Sequence, residues 1–216
     1  AASDVYKRQP KYIFYYIGDG MGMGPVNAAE TYNRTILGNT TPLTMMQMPV
    51  VAWCTTYSAN ADITDSAAAG TALSTGYKTN NGMLGMTPDT TSVTSIAYTL
   101  RSMGYGVGVA TSVAPDDATP GAFFAHVPSR KMYYDIDTQM AETDYQFFAG
   151  AGLRGLQKDG KDTDVLDRFA ENKVQIVYGP DGIKDINSDR VLLLNPKDTP
   201  NYNIGYTIDS LSLIHI

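Results

Sequence analysis

Short apolar runs of strand length alternate along the chain with segments whose apolar residues recur at helical spacing. The predicted strands are residues 11–17, 50–55, 105–112, 146–152 with its glycine turn, 174–178 and 191–194. The predicted helices begin at Pro25 and Ser66 and continue with residues 91–103, 120–127, 132–142 and 165–172. This alternation predicts an α/β fold, with a mostly parallel sheet and helices on both faces.

The composition is that of a globular chain with an acidic balance. The 216 residues are 43% apolar and carry a formal net charge of −6 at pH 7. Nucleic-acid-binding surfaces are basic, so the charge argues against a nucleic-acid partner. No apolar run approaches the roughly 20 residues that a membrane-spanning helix needs. The single cysteine, Cys54, permits no internal disulfide.

Residues 63–71, with the sequence ITDSAAAGT, place the hydroxyl of Ser66 beside the carboxylate of Asp65. A serine in the first turn of a helix lies at the positive end of the backbone dipole, which favours an anionic oxygen and also holds phosphate. The small residues that follow let the helix approach other backbone closely and leave the serine oxygen uncovered. The alternative is that Asp65 and Ser66 only cap an alanine-rich helix.

Asp19 stands among glycines after the first predicted strand, in residues 18–25, GDGMGMGP. Open α/β sheets bind their ligands at the carboxyl ends of their strands. Glycines on both sides let the backbone fold tightly around a metal ion bound by Asp19. A dinucleotide-binding loop would require glycine where Met23 or Pro25 stands, and no Walker A pattern is present. A purely structural turn is the alternative.

Residues 115–130 combine oxygen ligands with an arginine. Asp117 and Thr119 offer the hard oxygen atoms that Mg²⁺ prefers. Arg130 is a planar donor that suits two phosphate oxygens at once. Taken alone, the same residues are typical of an ordinary helix start followed by a surface arginine.

Together, the order and spacing of these three segments resemble the alkaline phosphatases, from about residue 11 to about residue 195. The resemblance implies metal-dependent hydrolysis of small-molecule phosphate monoesters. In the family pattern, Ser66 matches the nucleophile that becomes phosphorylated and Asp65 matches the carboxylate beside it. Arg130 matches the arginine that holds the phosphate.

The resemblance also implies two zinc ions and one magnesium ion as cofactors. Asp19 matches the aspartate that bridges a zinc and the magnesium, and Ser66 is the other residue expected to contact metal there. Thr119 matches a magnesium ligand, and Asp117 matches the residue that holds magnesium directly or through water. An aspartate rather than a histidine at position 117 is similar to the magnesium-type variants of the family.

The remaining zinc ligands of the family would lie beyond residue 210. The chain has only two histidines, His126 and His215. His126 lies in an apolar helical context, so we interpret it as structural. We therefore expect an alkaline-phosphatase-like fold that is incomplete, and a chain that by itself does not turn over substrate.

The two ends of the chain are related as an inverted DNA repeat. Residues 4–9 can be encoded by GATGTGTATAAGAGACAG, whose reverse complement encodes residues 211–216. We expect residues 1–9 and 211–216, including His215, to be non-native tails derived from a sequencing adapter. Residues 10–210 are then expected to be the amino-terminal part of an alkaline phosphatase domain.

Other functions stay open at this point. A related metallo-phosphodiesterase or a catalytically dead phosphate-binding relative would share parts of the pattern. A sulfatase would need a Cys/Ser-x-Pro-x-Arg motif and a serine esterase a Gly-x-Ser-x-Gly motif, and neither occurs. The family resemblance implies a periplasmic or secreted protein and leaves a homodimer open.

Overall fold

The computed structural model describes residues 10–197, 203 and 204. The chain divides into two compact units, one ending at Trp53 and the other beginning at Cys54. The predicted non-native tails, residues 1–9 and 211–216, lie outside the described residues, and so does His215. The assignment of residues 10–210 to the amino-terminal part of a larger domain stays a prediction.

The first unit contains helix α1 (Met23–Thr35) and one turn of 3-10 helix, Thr44–Gln47. Helix α1 has Pro25 in its first turn, where a missing N–H costs no helical hydrogen bond. The carboxylate of Glu30 accepts a hydrogen bond from the Leu43 N–H at 2.9 Å, which ties α1 to the chain that follows it.

The prediction of strands at residues 11–17 and 50–55 is wrong. Neither segment belongs to a strand, although residues 12–18 are free of helix and turn. An apolar run of the right length supplies strand propensity, but a strand also needs a neighbour whose N–H and C=O groups pair with its own. Local sequence does not provide that neighbour.

The second unit is built on four parallel strands. They are β1 (Gly108–Ala110), β2 (Phe147–Gly150), β5 (Gln175–Tyr178) and β6 (Val191–Leu194), and their order in the sheet is β1-β2-β6-β5. Each lies within or beside a predicted strand. A separate antiparallel hairpin is formed by β3 (Gln157–Lys158) and β4 (Lys161–Asp162).

Five helices accompany this sheet in the second unit, as far as it is described. They are α2 (Ser66–Thr75), α3 (Ile96–Ser102), α4 (Ala118–Gly121), α5 (Tyr133–Glu142) and α6 (Val165–Glu171). A 3-10 helix spans Pro180–Asp185. The parallel sheet and its helices confirm the predicted α/β class.

Two helices are shorter than predicted. Helix α3 begins only at Ile96, because Ser95 has extended backbone and caps the helix by accepting the N–H of Tyr98 at 3.4 Å. Helix α4 ends at Gly121, and Val127 instead exchanges two backbone hydrogen bonds of 3.0 Å with Leu84. A tertiary pairing therefore overrides the local helical pattern after residue 121.

The main core lies on one face of the sheet. Phe148 of β2 and Leu192 of β6 are buried there with residues of α5 and α6. These helical residues are Ile136, Met140, Val165 and Phe169. On the opposite face, Val177 and Leu193 are buried in a smaller cluster against Ile183 of the 3-10 helix. Within the described part of the chain, no helix is both long enough and apolar enough to cross a membrane.

Helices α2 and α4 pack closely where Gly70 faces the second helix. A Cβ atom at Gly70 would lie 3.0 Å from the Ala122 Cβ and 3.5 Å from the Thr119 Cα. Ser74 Oγ donates a hydrogen bond to the Ala122 carbonyl at 2.7 Å, which fixes the same contact. The small residues of the ITDSAAAGT segment thus bring two helices together, as predicted.

Replacing Gly70 by valine should therefore destabilise the protein. The added methyl groups would meet Ala122 and the α4 backbone, and overpacking of this kind costs about 1–3 kcal/mol of unfolding free energy. Urea unfolding measures the loss. Leu73→Val, at an exposed position of the same helix, reports the effect of a valine that meets no packed neighbour, and helix propensity cannot explain a loss at Gly70 because valine is a better helix former than glycine. A Gly70→Val loss no greater than this control would contradict the packing argument.

Candidate active site

Ser66 is the first residue of α2, and Asp65 is its N-cap. The Asp65 backbone is extended, with φ −99° and ψ 174°, so its side chain turns back over the first turn. Oδ1 of Asp65 accepts the N–H of Ala68 at 2.9 Å. The capping role and the placement of Ser66 at the helix start are thus both present, and the half-buried Ser66 lies at the positive end of the α2 dipole.

The second oxygen of Asp65 faces two other segments. Oδ2 accepts the Gly82 N–H at 3.0 Å and lies 3.3 Å from Nη1 of Arg130. The Gly82 carbonyl in turn accepts the Arg130 N–H at 2.7 Å. Gly82 has φ +90°, a conformation that favours glycine.

Arg130 joins the caps of two helices. Its Nη2 lies 3.0 Å from Oδ1 of Asp117, which is the N-cap of α4 and also accepts the Ala118 N–H at 2.8 Å. Arg130 is 30% exposed and Asp117 18% exposed. An arginine held between Asp65 and Asp117 in this partly buried position is more constrained than an ordinary surface arginine.

A second arginine, which the sequence did not single out, completes the group. Nη1 of Arg154 lies 3.0 Å from Oδ2 of Asp117. Arg154 follows β2, and Asp117 follows β1, so both come from the carboxyl edge of the parallel sheet where α/β proteins bind ligands. We call Asp65, Asp117, Arg130 and Arg154 the two-arginine cluster. An arginine just beyond the glycine turn of β2 was the only available sequence signal.

The charges in the cluster favour an ionised Asp117. Partial burial raises the pKa of this carboxyl group, but three contacts oppose that effect: the hydrogen bond from the Ala118 N–H, the charge of Arg154 and the hydrogen bond from Arg130. The net result is a pKa for Asp117 below the ordinary value.

Three further residues were singled out by the sequence. Asp19 occupies the turn that follows residues 12–18 in the first unit, where the Met21 N–H donates to the Gly18 carbonyl at 3.1 Å, and its convergence with Ser66 stays a prediction. Thr119 is a half-buried residue of α4. His126 Nε2 lies 3.0 Å from the Val93 carbonyl, and its ring stacks on Tyr98, which fits the structural interpretation.

The described residues were also compared with the requirements of a metal site. Within residues 10–197, 203 and 204, no three or more His, Cys, Asp or Glu side chains are grouped so that they could hold a metal ion. The hard oxygens of Asp117 and Thr119 nevertheless lie in the same helix start, and they are chemically suited to Mg²⁺.

Comparison with known families decides the affiliation. The family model described as alkaline phosphatase matches residues 10–151, which include Asp19, Ser66, Asp117, Thr119 and Arg130. The chain belongs to the alkaline phosphatase family.

Individual alkaline phosphatases are similar to this chain in sequence and in structure. The tissue-nonspecific alkaline phosphatase of Rattus norvegicus is 36% identical over 138 residues, covering 58% of this chain and 26% of that protein. The crystal structure of a cold-active alkaline phosphatase from a psychrophilic Shewanella has a TM-score of 0.78 at 27% identity, covering 91% of this chain and 48% of that chain.

A third relative carries a metal. It is a histidine-to-aspartate mutant of the alkaline phosphatase from the Antarctic bacterium TAB5, with Mg bound in its M3 site. Its TM-score is 0.69 at 29% identity, with 84% of this chain and 51% of that chain covered. The chain thus spans about half the length of these structures and a smaller part of the rat protein.

Behind the two-arginine cluster lies a buried carboxyl pair. Asp116 Oδ2 accepts the backbone N–H of Arg154 at 2.5 Å and of Gly155 at 3.2 Å, and Asp137 Oδ2 accepts that of Gly155 at 3.0 Å. Both aspartates are fully buried. Asp137 could have been found in the sequence, because it shares the apolar face of α5 with Met140 and Ala141.

Burial makes the charged forms of this pair unfavourable. It raises the pKa of Asp116 to about 6. Burial, together with the negative charge of Asp116, also raises the pKa of Asp137 well above its ordinary value. The native protein therefore keeps protons here that the unfolded chain releases at a lower pH.

The pair should make the protein less stable as the pH rises. The contribution of Asp116 is fully present below about pH 4 and is lost as the pH rises through its pKa of about 6, with a loss on the order of 3 kcal/mol. Asp137→Asn removes one ionisable group and should flatten this decline. Urea unfolding at a series of pH values from 4 to 8 measures it.

The exposed hairpin residue Asp159 provides the control, since Asp159→Asn should leave the pH profile as it is in the wild type. Equal pH profiles for the wild type and Asp137→Asn would show that the buried pair does not titrate as described.

Proposed function

We propose that the protein containing this chain hydrolyses phosphate monoesters through a phosphoserine intermediate on Ser66. The observation that carries the proposal is Arg130, held between Asp65, the neighbour of Ser66, and Asp117. This cation is planar, is anchored on two carboxylates and contacts the residue that precedes a serine at a helix start. Membership of the alkaline phosphatase family supports the same reaction.

Arg130 and α2 would bind the phosphate group. The guanidinium fork of Arg130 suits two phosphoryl oxygens, and its contacts with Asp65 and Asp117 fix its orientation before the substrate arrives. The positive end of the α2 dipole at Ser66 adds to the attraction for an anion.

The chemistry would proceed in two displacements. In the first, Ser66 Oγ attacks phosphorus, the bond from phosphorus to the ester oxygen breaks, and the alcohol leaves with the proton from Ser66. In the second, a water molecule attacks the phosphoserine, releasing inorganic phosphate and restoring the Ser66 hydroxyl. Arg130 would hold the same phosphoryl oxygens in both steps.

Metal ions would complete the site, and we propose two zinc ions and one magnesium ion. Asp117 and Thr119 would hold magnesium together with Asp19, and Asp19 and Ser66 would contribute to zinc. The carboxylate and hydroxyl oxygens fit magnesium, and the TAB5 mutant with bound Mg supports a metal in this family. When bound, the metals would supply positive charge to the reacting phosphoryl oxygens.

The cellular setting is also a proposal. Family resemblance favours a periplasmic or secreted protein whose substrates are small phosphate monoesters. On the same basis, we propose a homodimer as its assembly. The acidic net charge of −6 does not oppose an anionic substrate, because Arg130, Arg154 and bound metals would dominate the field at the site.

Ser66→Ala in the full-length protein should lower steady-state phosphomonoester turnover by several orders of magnitude, because the acceptor of the phosphoryl group is gone. Turnover of a chromogenic phosphate ester measures this. Mass spectrometry of acid-quenched protein should show one added phosphoryl group in the wild type and none in the variant.

Ser102→Ala is the matched control, since Ser102 lies at the exposed end of α3, where its Oγ donates a hydrogen bond to the Thr99 carbonyl of the same helix. Its turnover should equal that of the wild type. Wild-type turnover in Ser66→Ala would remove Ser66 from the mechanism, and a wild-type protein that binds phosphate without turnover would identify the catalytically dead alternative.

Removal of metal by a chelator should abolish turnover in the full-length protein, and zinc with magnesium should restore it. Thr119→Val removes one proposed magnesium ligand, so it should raise the magnesium concentration needed for half-maximal recovery. The 216-residue chain assayed under the same conditions is expected to stay inactive. Full turnover in the presence of the chelator would overturn the metal proposal.

A further inference from the structure

Arg154 stands in the two-arginine cluster, but the reaction described above gives it no role. It contacts Oδ2 of Asp117 at 3.0 Å, whereas Arg130 contacts Oδ1 of the same carboxylate at 3.0 Å. The Ala118 N–H occupies Oδ1 as well. Both oxygens of Asp117 are therefore held, which prevents rotation of the carboxylate about its Cβ–Cγ bond.

Arg154 is itself firmly anchored. Its backbone N–H donates to the buried Asp116, and its guanidinium lies 5.4 Å from the centre of the Tyr133 ring, within range of a cation–π contact. The next residue leaves no room for movement, because a Cβ atom at Gly155 would collide with Asp137 and lie 2.7 Å from the Tyr133 carbonyl oxygen. The backbone at Arg154 is thus fixed by contacts with residues other than Asp117.

The charge balance of the cluster also depends on Arg154. Asp65 and Asp117 bring two negative charges, and Arg130 and Arg154 bring two positive ones. Without Arg154, the single guanidinium of Arg130 would face two carboxylates, and the side chains of the cluster would together carry a net negative charge. Asp117 is 18% exposed and Arg154 23% exposed, so water screens this interaction only partly.

We propose that Arg154 is a positioning residue for phosphate binding: by holding Oδ2 of Asp117, it keeps Oδ1 directed at Arg130 and leaves Arg130 electrostatically available to phosphate. This inference rests on the proposed function, because it assigns Arg130 to the phosphate group. Arg154 acts through Asp117 and does not itself contact the reacting atoms.

The test compares Arg154→Ala and Arg154→Lys with the wild type in the metal-loaded, full-length protein. Calorimetric titration with inorganic phosphate gives the Kd, and steady-state kinetics with a chromogenic ester give kcat and KM separately. Arg154→Ala should raise the Kd for phosphate about tenfold, as expected for the loss of one charge-assisted hydrogen bond. Arg154→Lys keeps the charge but not the fork, so it should recover part of the affinity.

Arg168 offers a matched control in the same unit. It pairs with Asp164 at 3.1 Å and lies 5.7 Å from the centre of the Tyr134 ring. Like Arg154, it thus contacts one aspartate and one tyrosine ring, but neither of these residues belongs to the cluster. Arg168→Ala should leave the phosphate Kd unchanged. A double-mutant cycle with Arg130→Ala tests the pathway, because the effect of Arg154→Ala should largely disappear when Arg130 is absent.

The outcomes separate the two proposals. A folded Arg154→Ala variant that binds phosphate as the wild type does, or a full Arg154 effect in the Arg130→Ala background, would overturn the positioning role and leave the proposed function intact. A wild-type protein that neither binds phosphate nor turns over monoesters would overturn the proposed function itself. If Arg154→Ala fails to fold, the comparison of Arg154→Lys with Arg154→Gln decides the same question. Of these two variants, only lysine keeps a positive charge beside the Asp117 carboxylate.

Discussion

The contact of Arg130 with two helix caps is the interaction on which the rest of the site depends. Asp65 caps α2 with one oxygen and meets Arg130 with the other, and Asp117 holds both the first N–H of α4 and Arg130 on a single oxygen. Capping residues have extended backbone, which points their side chains back over the helix start. Formation of the two helices therefore places both carboxylates, and Arg130 then links them.

That link requires the two helices to lie close together, and the packing provides this. Gly70 allows α2 to approach Ala122 at a distance that a larger residue would block. The parallel sheet supplies the other constraint, because the segments that follow β1 and β2 at the same edge carry Asp117 and Arg154. The geometry of the charged groups is thus set by backbone packing rather than by the side chains alone.

The sequence predicted those features that have a local physical signature. Ser66 at a helix start could be predicted because an aspartate followed by small residues is a capping pattern, and four of the six predicted strands correspond to strands of the sheet. The strands at residues 11–17 and 50–55 failed because pairing depends on a distant neighbour. The contact of Arg154 with Asp117 joins residues far apart in the chain, so it cannot be predicted from the spacing of residues in the sequence.

The buried pair Asp116 and Asp137 carries a free-energy cost when its carboxyl groups are charged. Two carboxyl groups without solvent are unfavourable when charged, yet they accept the N–H groups of Arg154 and Gly155 just after β2, where the regular strand ladder no longer pairs them. An apolar core at this point would leave those donors unsatisfied and would release the segment that carries Arg154. The pair behind the cluster is therefore unfavourable when ionised, and it fixes the backbone from which Arg154 reaches Asp117.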